Sequence, residues 1–391
     1  MTKNDPWLLP DGIEEVLPEK ARRLESMRRS ILDLFDVWGY ELVMPPLAEF
    51  LDSLLTGVGE DMDLQTFKLT DQISGRMMGL RPDITPQAAR IDAHYLKKES
   101  PVRLCYAGPV LRTRPDKFAG SREPFQLGAE LFGHDGMASE LELLELMVTM
   151  LGQIGIDQVH VELGHVGIFR SLAAEAKLNP EQESALFSAL QRKAEPDMNK
   201  MLASWDLSEK LKKSLSLMVE LSGDEQVLEI ARKAFGNNKE IVSCLDNVQS
   251  VYNVFKNNSG KDVPVLFDLA ELSGYGYYTG IVYSAFIPGH GRAIAKGGRY
   301  DGIGQAFGRD RPATGFSADM RELINLVPEN GEKKSAILAP ENDDKTLKNK
   351  INTLRGNGER IVMQLPGHKF TTGEMGCDRE LVQKNGKWIV K

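Results

Sequence analysis

Two glycine-rich stretches in the later part of the chain constrain its structure most. Residues 273–280 read Ser-Gly-Tyr-Gly-Tyr-Tyr-Thr-Gly, and residues 295–302 read Ala-Lys-Gly-Gly-Arg-Tyr-Asp-Gly. Glycine allows positive φ and a close approach of a ligand to the backbone, and tyrosine offers an apolar face that ends in a hydroxyl. Taken alone, the two stretches indicate either the floor of a small-molecule pocket or two hairpin turns with aromatic packing.

The composition excludes several classes of protein. The chain has 391 residues, 41% of them hydrophobic, which suffices for two or three domains with a substantial core. A formal net charge of −8 argues against a general polyanion binder, so we expect no nucleic-acid partner. Cys105, Cys244 and Cys377 lie far apart, without a C-x-x-C pair, and predict no metal site and a reducing compartment. Because no apolar run reaches the roughly 18 residues of a membrane span and no signal peptide is evident, we expect a cytoplasmic protein without membrane contact.

The first 165 residues predict alternating helices and strands. Apolar residues recur at helical spacing from Leu24 to Trp38, and a strand pattern at 40–44 ends at Pro45-Pro46. The same periodicities predict a hairpin at 64–70 and 75–81, a helix at 87–97, strands at 102–110 and 125–133, a helix at 139–154 and a strand at 158–163.

A turn flanked by prolines precedes the helix at 87–97. Thr85 is placed to cap this helix, with Pro86 at the first helical position. Asp83 lies on the same rigid turn, where its carboxylate is suited to bind an ammonium or an imidazolium group. An ordinary surface aspartate is the alternative.

Polar side chains mark two neighbouring strands. Arg112 and Arg114 follow the strand at 102–110, and two arginines at a strand end indicate an anion-binding site. In the next strand, Gln126 and Glu130 share one face around a glycine, by period-two alternation. This pattern indicates a ligand that lies on the sheet, with Glu130 as the carboxylate for a cationic group. An edge strand that faces water is the alternative.

The remainder predicts an insertion, more strands and a small terminal domain. Residues 166–256 are almost purely helical in pattern, so we expect an insertion outside the sheet. Consecutive antiparallel strands are predicted at 263–269, 281–287 and 293–295, followed by a strand that enters a helix within 313–326. The sequence therefore predicts an α+β fold, an antiparallel sheet flanked by helices. Its parts are the core in two pieces, 1–165 and 257–328, the helical insertion at 166–256 and a small C-terminal α/β domain at 329–391.

The order of these motifs resembles the class II aminoacyl-tRNA synthetases, and among them the histidyl-tRNA synthetase branch. The helix and strand that end at Pro45-Pro46 are similar to motif 1, which builds the dimer interface in that family. Residues 103–133 resemble motif 2, with Arg112 at the position of its phosphate-binding arginine, and residues 313–323 resemble motif 3. The two glycine-rich stretches match the pair of histidine-specific motifs. The resemblance implies a class II synthetase-like fold over nearly residues 6–326.

Several departures from that family affect the reaction chemistry. Ser273 stands where the synthetases carry an arginine that contacts the histidine carboxylate and the adenylate phosphate. At motif 3 the usual Glu-Arg order is reversed to Arg321-Glu322, which places a carboxylate where the γ-phosphate of ATP would lie. No glutamate follows Arg112 by two residues, and the tail lacks an evident basic stripe for RNA.

The amino-acid side of the pocket is retained. The positions that hold the ammonium and imidazole groups of histidine in the synthetases match Thr85, Gln126, Glu130 and Tyr278. Tyr300 is kept, and Asp83 replaces a glutamate conservatively. This combination resembles the regulatory subunits of ATP phosphoribosyltransferase, a catalytically inert family related to histidyl-tRNA synthetase.

The resemblance implies a function. Members of that family pair with a short-form catalytic subunit, run the first step of histidine biosynthesis and let histidine inhibit it. For this chain we therefore expect no catalysis, no cofactor, binding of free histidine, a hetero-oligomer with the catalytic subunit and a homodimer through the motif 1-like region. A working histidine–tRNA ligase with a reduced C-terminal domain and a stand-alone amino-acid-binding module are the alternatives.

Overall fold

The computed structural model describes residues 7–57, 60–115, 120–258, 263–271, 274–328, 336–367 and 370–391. The chain forms two compact units, residues 1–328 and 329–391. Within the described ranges, no helix combines the length and the apolar composition needed to cross a bilayer.

The first unit is built on a large sheet and a smaller one. Its strands are β1 (Glu41–Leu42), β2 (Ala48–Phe50), β3 (Phe67–Thr70), β4 (Met77–Leu80), β5 (Val102–Pro109), β6 (Phe125–Phe132), β7 (His160–His165), β8 (Ser222–Gly223), β9 (Val265–Asp268), β10 (Ile281–Phe286), β11 (Ala295–Arg299) and β12 (Ala313–Asp319). The nine-stranded sheet has the order β1-β5-β6-β12-β11-β10-β7-β9-β8, and the three-stranded sheet has the order β2-β4-β3.

Helices pack on the large sheet and follow one another in the insertion. They are α1 (Pro18–Val37), α2 (Leu51–Leu54), α3 (Glu60–Gln65), α4 (Thr85–Arg90), α5 (Met137–Gln153), α6 (Val166–Glu175), α7 (Pro180–Gln191), α8 (Glu195–Ser204), α9 (Glu209–Leu217), α10 (Gln226–Phe235), α11 (Lys239–Asn258) and α12 (Met320–Leu326). A π-helical segment, Ile91–Leu96, continues α4, and 3-10 turns cover Met218–Glu220 and Asp301–Phe307.

The predicted antiparallel sheet is confirmed at its centre. Strands β5, β6, β12, β11, β10 and β7 are all joined by antiparallel pairings. β6 lies between β5 and β12, so the alternative of an edge strand facing water at 125–133 is wrong. β9 differs from expectation, because it pairs in parallel with β7 rather than antiparallel with β10. The long connection from β9 to β10 leaves room for β7 between them, which a tight hairpin would not.

A large apolar cluster joins the helices to the large sheet, and a smaller one, with Leu104, Tyr106 and Tyr300, is separate from it. The apolar stripe of α1 buries Met27, Ile31, Leu34 and Phe35, as the helical spacing predicts. Phe35 meets Phe316 of β12 edge-on, with ring centroids 6.0 Å apart. The same cluster includes α5 and buried residues from the insertion helices. One detail of the insertion was not expected: Ser222–Gly223 pairs with β9 and forms the last strand of the large sheet.

Other local differences concern element boundaries. The strand predicted at 40–44 is reduced to Glu41–Leu42, and the hairpin loses residues 64–65 to a helix. Thr85 is the first helical residue rather than the cap, and its N–H donates to the Asp83 carboxylate over 2.8 Å. The strand predicted at 293–295 begins only at Ala295 and continues to Arg299, so the start of the second glycine-rich stretch lies inside the sheet.

The second unit is a small α/β fold, as predicted. Its elements are β13 (Ala336–Ala339), α13 (Lys345–Gly356), β14 (Arg360–Met363), β15 (Arg379–Lys384) and β16 (Lys387–Val390). The sheet order is β14-β13-β15-β16, with β13 and β14 parallel and connected through α13. Ile337, Leu347, Ile351 and Leu381 form part of its core.

Candidate functional site

Glycines on one face of the large sheet make room for a site. Gly315 pairs with Glu130 on one side and with Gly298 on the other, so all three residues face the same way. A side chain at Gly315 would collide with the Glu130 carboxylate, and one at Gly298 would lie 3.0 Å from the Tyr278 ring. A side chain at Gly128 would collide with the Tyr106 hydroxyl. These glycines are required because larger side chains above them occupy the space.

Glu130 is the most deeply enclosed acidic group of this face, with 1% of its surface exposed. The Tyr106 hydroxyl donates to its Oε1 over 2.9 Å, and the Tyr300 hydroxyl donates to its Oε2. Burial raises the pKa of Glu130 to about 8, although both tyrosine hydrogen bonds oppose this. Among the ion pairs of the described residues, none involves Glu130. A buried carboxylate held by neutral groups is suited to receive a cation from a ligand.

A second set of hydrogen bonds connects the proline-flanked turn to β6. Gln126 donates from Nε2 to the Asp83 carboxylate over 2.9 Å and accepts the Ile84 N–H at its Oε1, also over 2.9 Å. Thr85 Oγ1 lies 2.9 Å from the Tyr106 hydroxyl. Because Tyr106 directs its own proton toward Glu130, we infer that Thr85 is the donor. The structure thus brings Asp83, Thr85 and Gln126 into one network with Glu130.

The tyrosines of the first glycine-rich stretch close this site. Tyr278 lies with its ring against Gly298 and beside Gly274, which adopts φ +78°. Tyr277 stacks on Tyr300, with ring centroids 4.8 Å apart and 20° between the planes. The Tyr277 hydroxyl is buried and has no hydrogen-bond partner among the described residues. Since an unpaired buried hydroxyl is costly, a polar atom of a ligand would satisfy it.

Sequence reasoning missed Tyr106 and Tyr277. Tyr106 pairs with Gly128 across β5 and β6, and an aromatic residue in the strand that precedes the glycine-containing strand at 125–133 was the available signal. Tyr277 adjoins Tyr278 in a turn, where no periodicity distinguishes one residue from the next. Ser273 lies outside the described residues, so its replacement of the synthetase arginine remains an observation on the sequence.

A cleft of ≈ 790 Å³ adjoins the network and shares Gln126 with it. Its positively charged side chains are Arg112, Arg292, Lys296 and Arg321. Arg112 also donates from Nε to the Pro82 carbonyl over 3.2 Å. Arg114, the second arginine expected at an anion site, is exposed and does not line the cleft.

The reversed Arg321-Glu322 pair neutralises part of this cleft internally. Glu322 Oε1 lies 2.5 Å from Arg292 Nε and 2.8 Å from His290 Nε2. Arg321 donates to the Glu123 carboxylate over 2.8 Å. Two of the cleft's arginines are therefore held by carboxylates of the chain itself, which reduces the positive charge offered to an anion. Within the described ranges, no group of three or more His, Cys, Asp and Glu side chains is placed to hold a metal ion.

Comparison with known proteins first gives the class of protein. A family profile described as "Histidyl-tRNA synthetase" matches residues 12–323. The fold and the site therefore define a chain of the histidyl-tRNA synthetase class. A second profile, described as "ATP phosphoribosyltransferase subunit HisZ C-terminal domain", matches residues 334–391. The chain belongs to the family of ATP phosphoribosyltransferase regulatory subunits.

Individual relatives support this assignment over the full length. The ATP phosphoribosyltransferase regulatory subunit of Chromohalobacter salexigens is 49% identical over 392 residues, covering 100% of this chain and 99% of the relative. That of Alkalilimnicola ehrlichii is 47% identical over 397 residues, covering 100% and 98%. The resemblance drawn from the motifs is confirmed.

Solved structures confirm the fold. An ATP phosphoribosyltransferase regulatory subunit/histidyl-tRNA synthetase from Bacillus halodurans superposes with a TM-score of 0.85 at 27% identity, covering 96% of this chain and 97% of that chain. The histidyl-tRNA synthetase of Nostoc sp. PCC 7120 gives a TM-score of 0.79 at 16% identity, covering 97% and 92%, and shows the likeness of fold alone. The α+β, class II synthetase-like architecture predicted from the sequence is thereby confirmed.

Proposed function

We propose that this chain is a non-catalytic regulatory subunit that assembles with the short-form catalytic subunit of ATP phosphoribosyltransferase. In this role it activates the first step of histidine biosynthesis and carries the histidine that inhibits it. Family membership supports the pairing with a catalytic subunit, and the match of residues 334–391 to the C-terminal domain of that family favours it over a tRNA ligase. The proposal keeps the cytoplasmic location and the absence of a nucleic-acid partner expected from the sequence.

The Glu130 network is the observation that carries the histidine-binding part. Histidine offers an ammonium group and an imidazole, both of which can be cationic hydrogen-bond donors. Glu130 is a buried carboxylate with neutral tyrosine partners, and Asp83 supplies a second carboxylate linked through Gln126. The unpartnered Tyr277 hydroxyl offers a further polar contact. We assign Asp83, Thr85, Gln126, Glu130, Tyr278 and Tyr300 to the histidine site, and Arg112 to its anionic side.

The charges of the adjoining cleft support a non-catalytic role. A synthetase stabilises a triphosphate and an adenylate with cations directed into this space. Here Glu322 forms an ion pair with Arg292, and Glu123 forms one with Arg321. The sequence also lacks the arginine at position 273. We therefore propose that histidine binds without being activated.

Regulation follows as a coupling free energy between two sites. Histidine inhibits if it binds one state of the hetero-oligomer more tightly than the other, and such a preference is typically about 1–3 kcal/mol. Activation follows from the same thermodynamic linkage, in which the bound partner is the catalytic subunit instead of histidine. No covalent chemistry by this chain is needed.

We also propose a homodimer through the motif 1-like region. Large apolar side chains are exposed there at Leu42, Met44 and Leu47. Tyr95 of the π-helical segment is also exposed and lines the same groove as Pro46. A groove of ≈ 660 Å³ lined by Phe50, Met78, Tyr95 and Phe307, among others, lies in the same part of the unit. Exposed apolar residues clustered in one region are typical of an interface.

Calorimetry tests the proposal directly. L-histidine titrated into the full chain is expected to give a saturable heat, and L-glutamine, which lacks a cationic ring, is expected to give much less. Absence of a histidine signal, both for the chain alone and for its complex with the catalytic subunit, would refute the sensor role. A histidine-dependent ATP–pyrophosphate exchange assay distinguishes the regulatory subunit from the tRNA ligase alternative, because sustained exchange would require catalysis by this chain.

A further inference from the structure

The first glycine-rich stretch faces two parts of the unit at once. Tyr277 and Tyr278 pack against the cluster that contains Tyr106 and Tyr300, on the side of the histidine site. Tyr275 packs instead against the main core, which includes the insertion helices. A short segment therefore has one surface in the site and the other in the insertion.

Tyr275 is held by two helices of the insertion. Its ring meets Phe169 of α6 edge-on at 5.2 Å and Phe187 of α7 at 5.6 Å between centroids. Its hydroxyl donates to Oε1 of Glu183 in the first turn of α7 over 2.7 Å. Burial, with the Glu183 hydrogen bond, raises the pKa of Tyr275 to about 12, so the hydroxyl stays a donor.

Arg170 of α6 fixes the backbone of the same segment. It donates from Nη2 to the carbonyls of Tyr275 and Tyr278, over 3.3 Å and 3.1 Å. Within the segment, the N–H groups of Tyr277 and Tyr278 both donate to the Gly274 carbonyl, over 2.7 Å and 2.8 Å. Because this turn is closed internally and held from α6, we expect a displacement of Tyr277 or Tyr278 to move Tyr275 as well.

The far end of α7 contacts the strand that leads into this segment. Lys193, just beyond α7, donates to Oδ2 of Asp268 over 2.8 Å, and Asp268 is the last residue of β9. Glu183 and Lys193 thus attach α7 at two points, one at Tyr275 and one at the end of β9.

We propose that Tyr275, through its hydrogen bond to Glu183, couples the occupancy of the histidine site to α7. This inference rests on the proposed function. Histidine bound against Tyr277 and Tyr278 fixes the turn, the turn fixes Tyr275, and the Tyr275–Glu183 hydrogen bond stabilises α7. The insertion therefore reports the state of the pocket to the rest of the unit.

Hydrogen–deuterium exchange of the full chain, with and without saturating L-histidine, tests the coupling. In the wild type, histidine is expected to slow exchange of the backbone amides of α7, by a factor within the about 5–150-fold range typical of coupled sites. Tyr275→Phe and Glu183→Ala are expected to abolish most of this protection. Glu183→Gln keeps an acceptor and is expected to retain it. Tyr252→Phe, which removes a hydroxyl that donates to Glu225 elsewhere in the insertion, is the matched control.

Calorimetry on the same samples separates the possible results. The inference predicts that histidine still binds both Tyr275→Phe and Glu183→Ala while α7 no longer responds. Histidine binding to the wild type without any change in α7 would overturn the coupling and leave the proposed function standing, as would undiminished protection in both variants. No binding to the wild type would overturn both. Should Tyr275→Phe fold poorly, Glu183→Ala alone decides, because it changes a partly exposed side chain.

Discussion

Tyr106 and Tyr300 donate hydrogen bonds to opposite oxygens of one buried carboxylate, Glu130. The two tyrosines come from β5 and from the residue after β11, on either side of β6 in the sheet. Two neutral donors solvate the carboxylate partly, yet burial still raises its pKa to about 8. A cationic ligand next to this carboxyl group would favour its charged form and lower the pKa again.

Removal of the Glu130 charge should weaken histidine binding. In Glu130→Gln the ligand loses a charge-assisted hydrogen bond, worth about 1.5–3 kcal/mol, so Kd is expected to rise roughly 10- to 150-fold. Titration calorimetry measures the change. Glu142→Gln is the control, because Glu142 on α5 also accepts a tyrosine hydroxyl, from Tyr40, but is paired with Arg103 of β5. Equal Kd values for Glu130→Gln and the wild type would contradict the assignment of Glu130.

The stability of the wild type should fall with rising pH relative to Glu130→Gln. The folded pKa of Glu130 is raised from 4.5 to about 8, so the folded chain keeps a proton that the unfolded chain has released in this window. The contribution of the protonated Glu130 to the free energy of unfolding is fully present below about pH 4.5. It is lost as the pH rises toward 8, with a slope of at most about 1.4 kcal/mol per pH unit. Urea unfolding of both proteins across this range measures the difference, and parallel pH profiles would argue against a raised pKa.

Gly315→Ala should damage the site through sterics alone. Its Cβ would collide with the Glu130 carboxylate, so overpacking is expected to cost about 1–3 kcal/mol and to weaken histidine binding. Gly302→Ala is the control, since a Cβ there meets nothing within 4 Å. Denaturant unfolding and histidine titration measure both effects. Wild-type stability and affinity in Gly315→Ala would show that the Glu130 side chain adapts freely.

Glu322→Ala should increase the affinity of the cleft for anions. Arg292 and His290 lose their carboxylate partner and become available to phosphate oxygens. ATP or pyrophosphate binding, measured by calorimetry, is expected to strengthen about tenfold, which corresponds to about 1.4 kcal/mol. Glu359→Gln, at an Arg–Glu pair in the second unit, should have no effect. If neither anion binds Glu322→Ala more tightly, the internal neutralisation of the cleft is refuted.

Met44→Glu should dissociate the proposed homodimer. Met44 is 78% exposed, and a charge buried at an interface is costly. Sedimentation velocity is expected to show a shift toward monomer. Leu365→Glu, at a side chain that is 65% exposed in the second unit and outside the motif 1-like region, is the control and should leave the association unchanged. Unaltered sedimentation of Met44→Glu, or a monomeric wild type, would exclude this interface.

Local sequence signals predicted much of the fold. The apolar stripe of α1 and the alternation of β6 are periodicities over a few residues of sequence. The structure has both elements within a few residues of their predicted ends. Gln126 and Glu130 face the same way for the same reason. The order of motifs gave the family, because it depends only on which residues follow one another.

The sequence by itself therefore determined most of the elements, the family and the polar face of β6. Tertiary structure alone decided that β9 pairs with β7, that Tyr106 and Tyr300 converge on Glu130, and that Glu322 binds Arg292 and His290. Each of these relationships joins residues far apart in the chain. Their geometry depends on strand order and on long-range packing, which no local periodicity encodes.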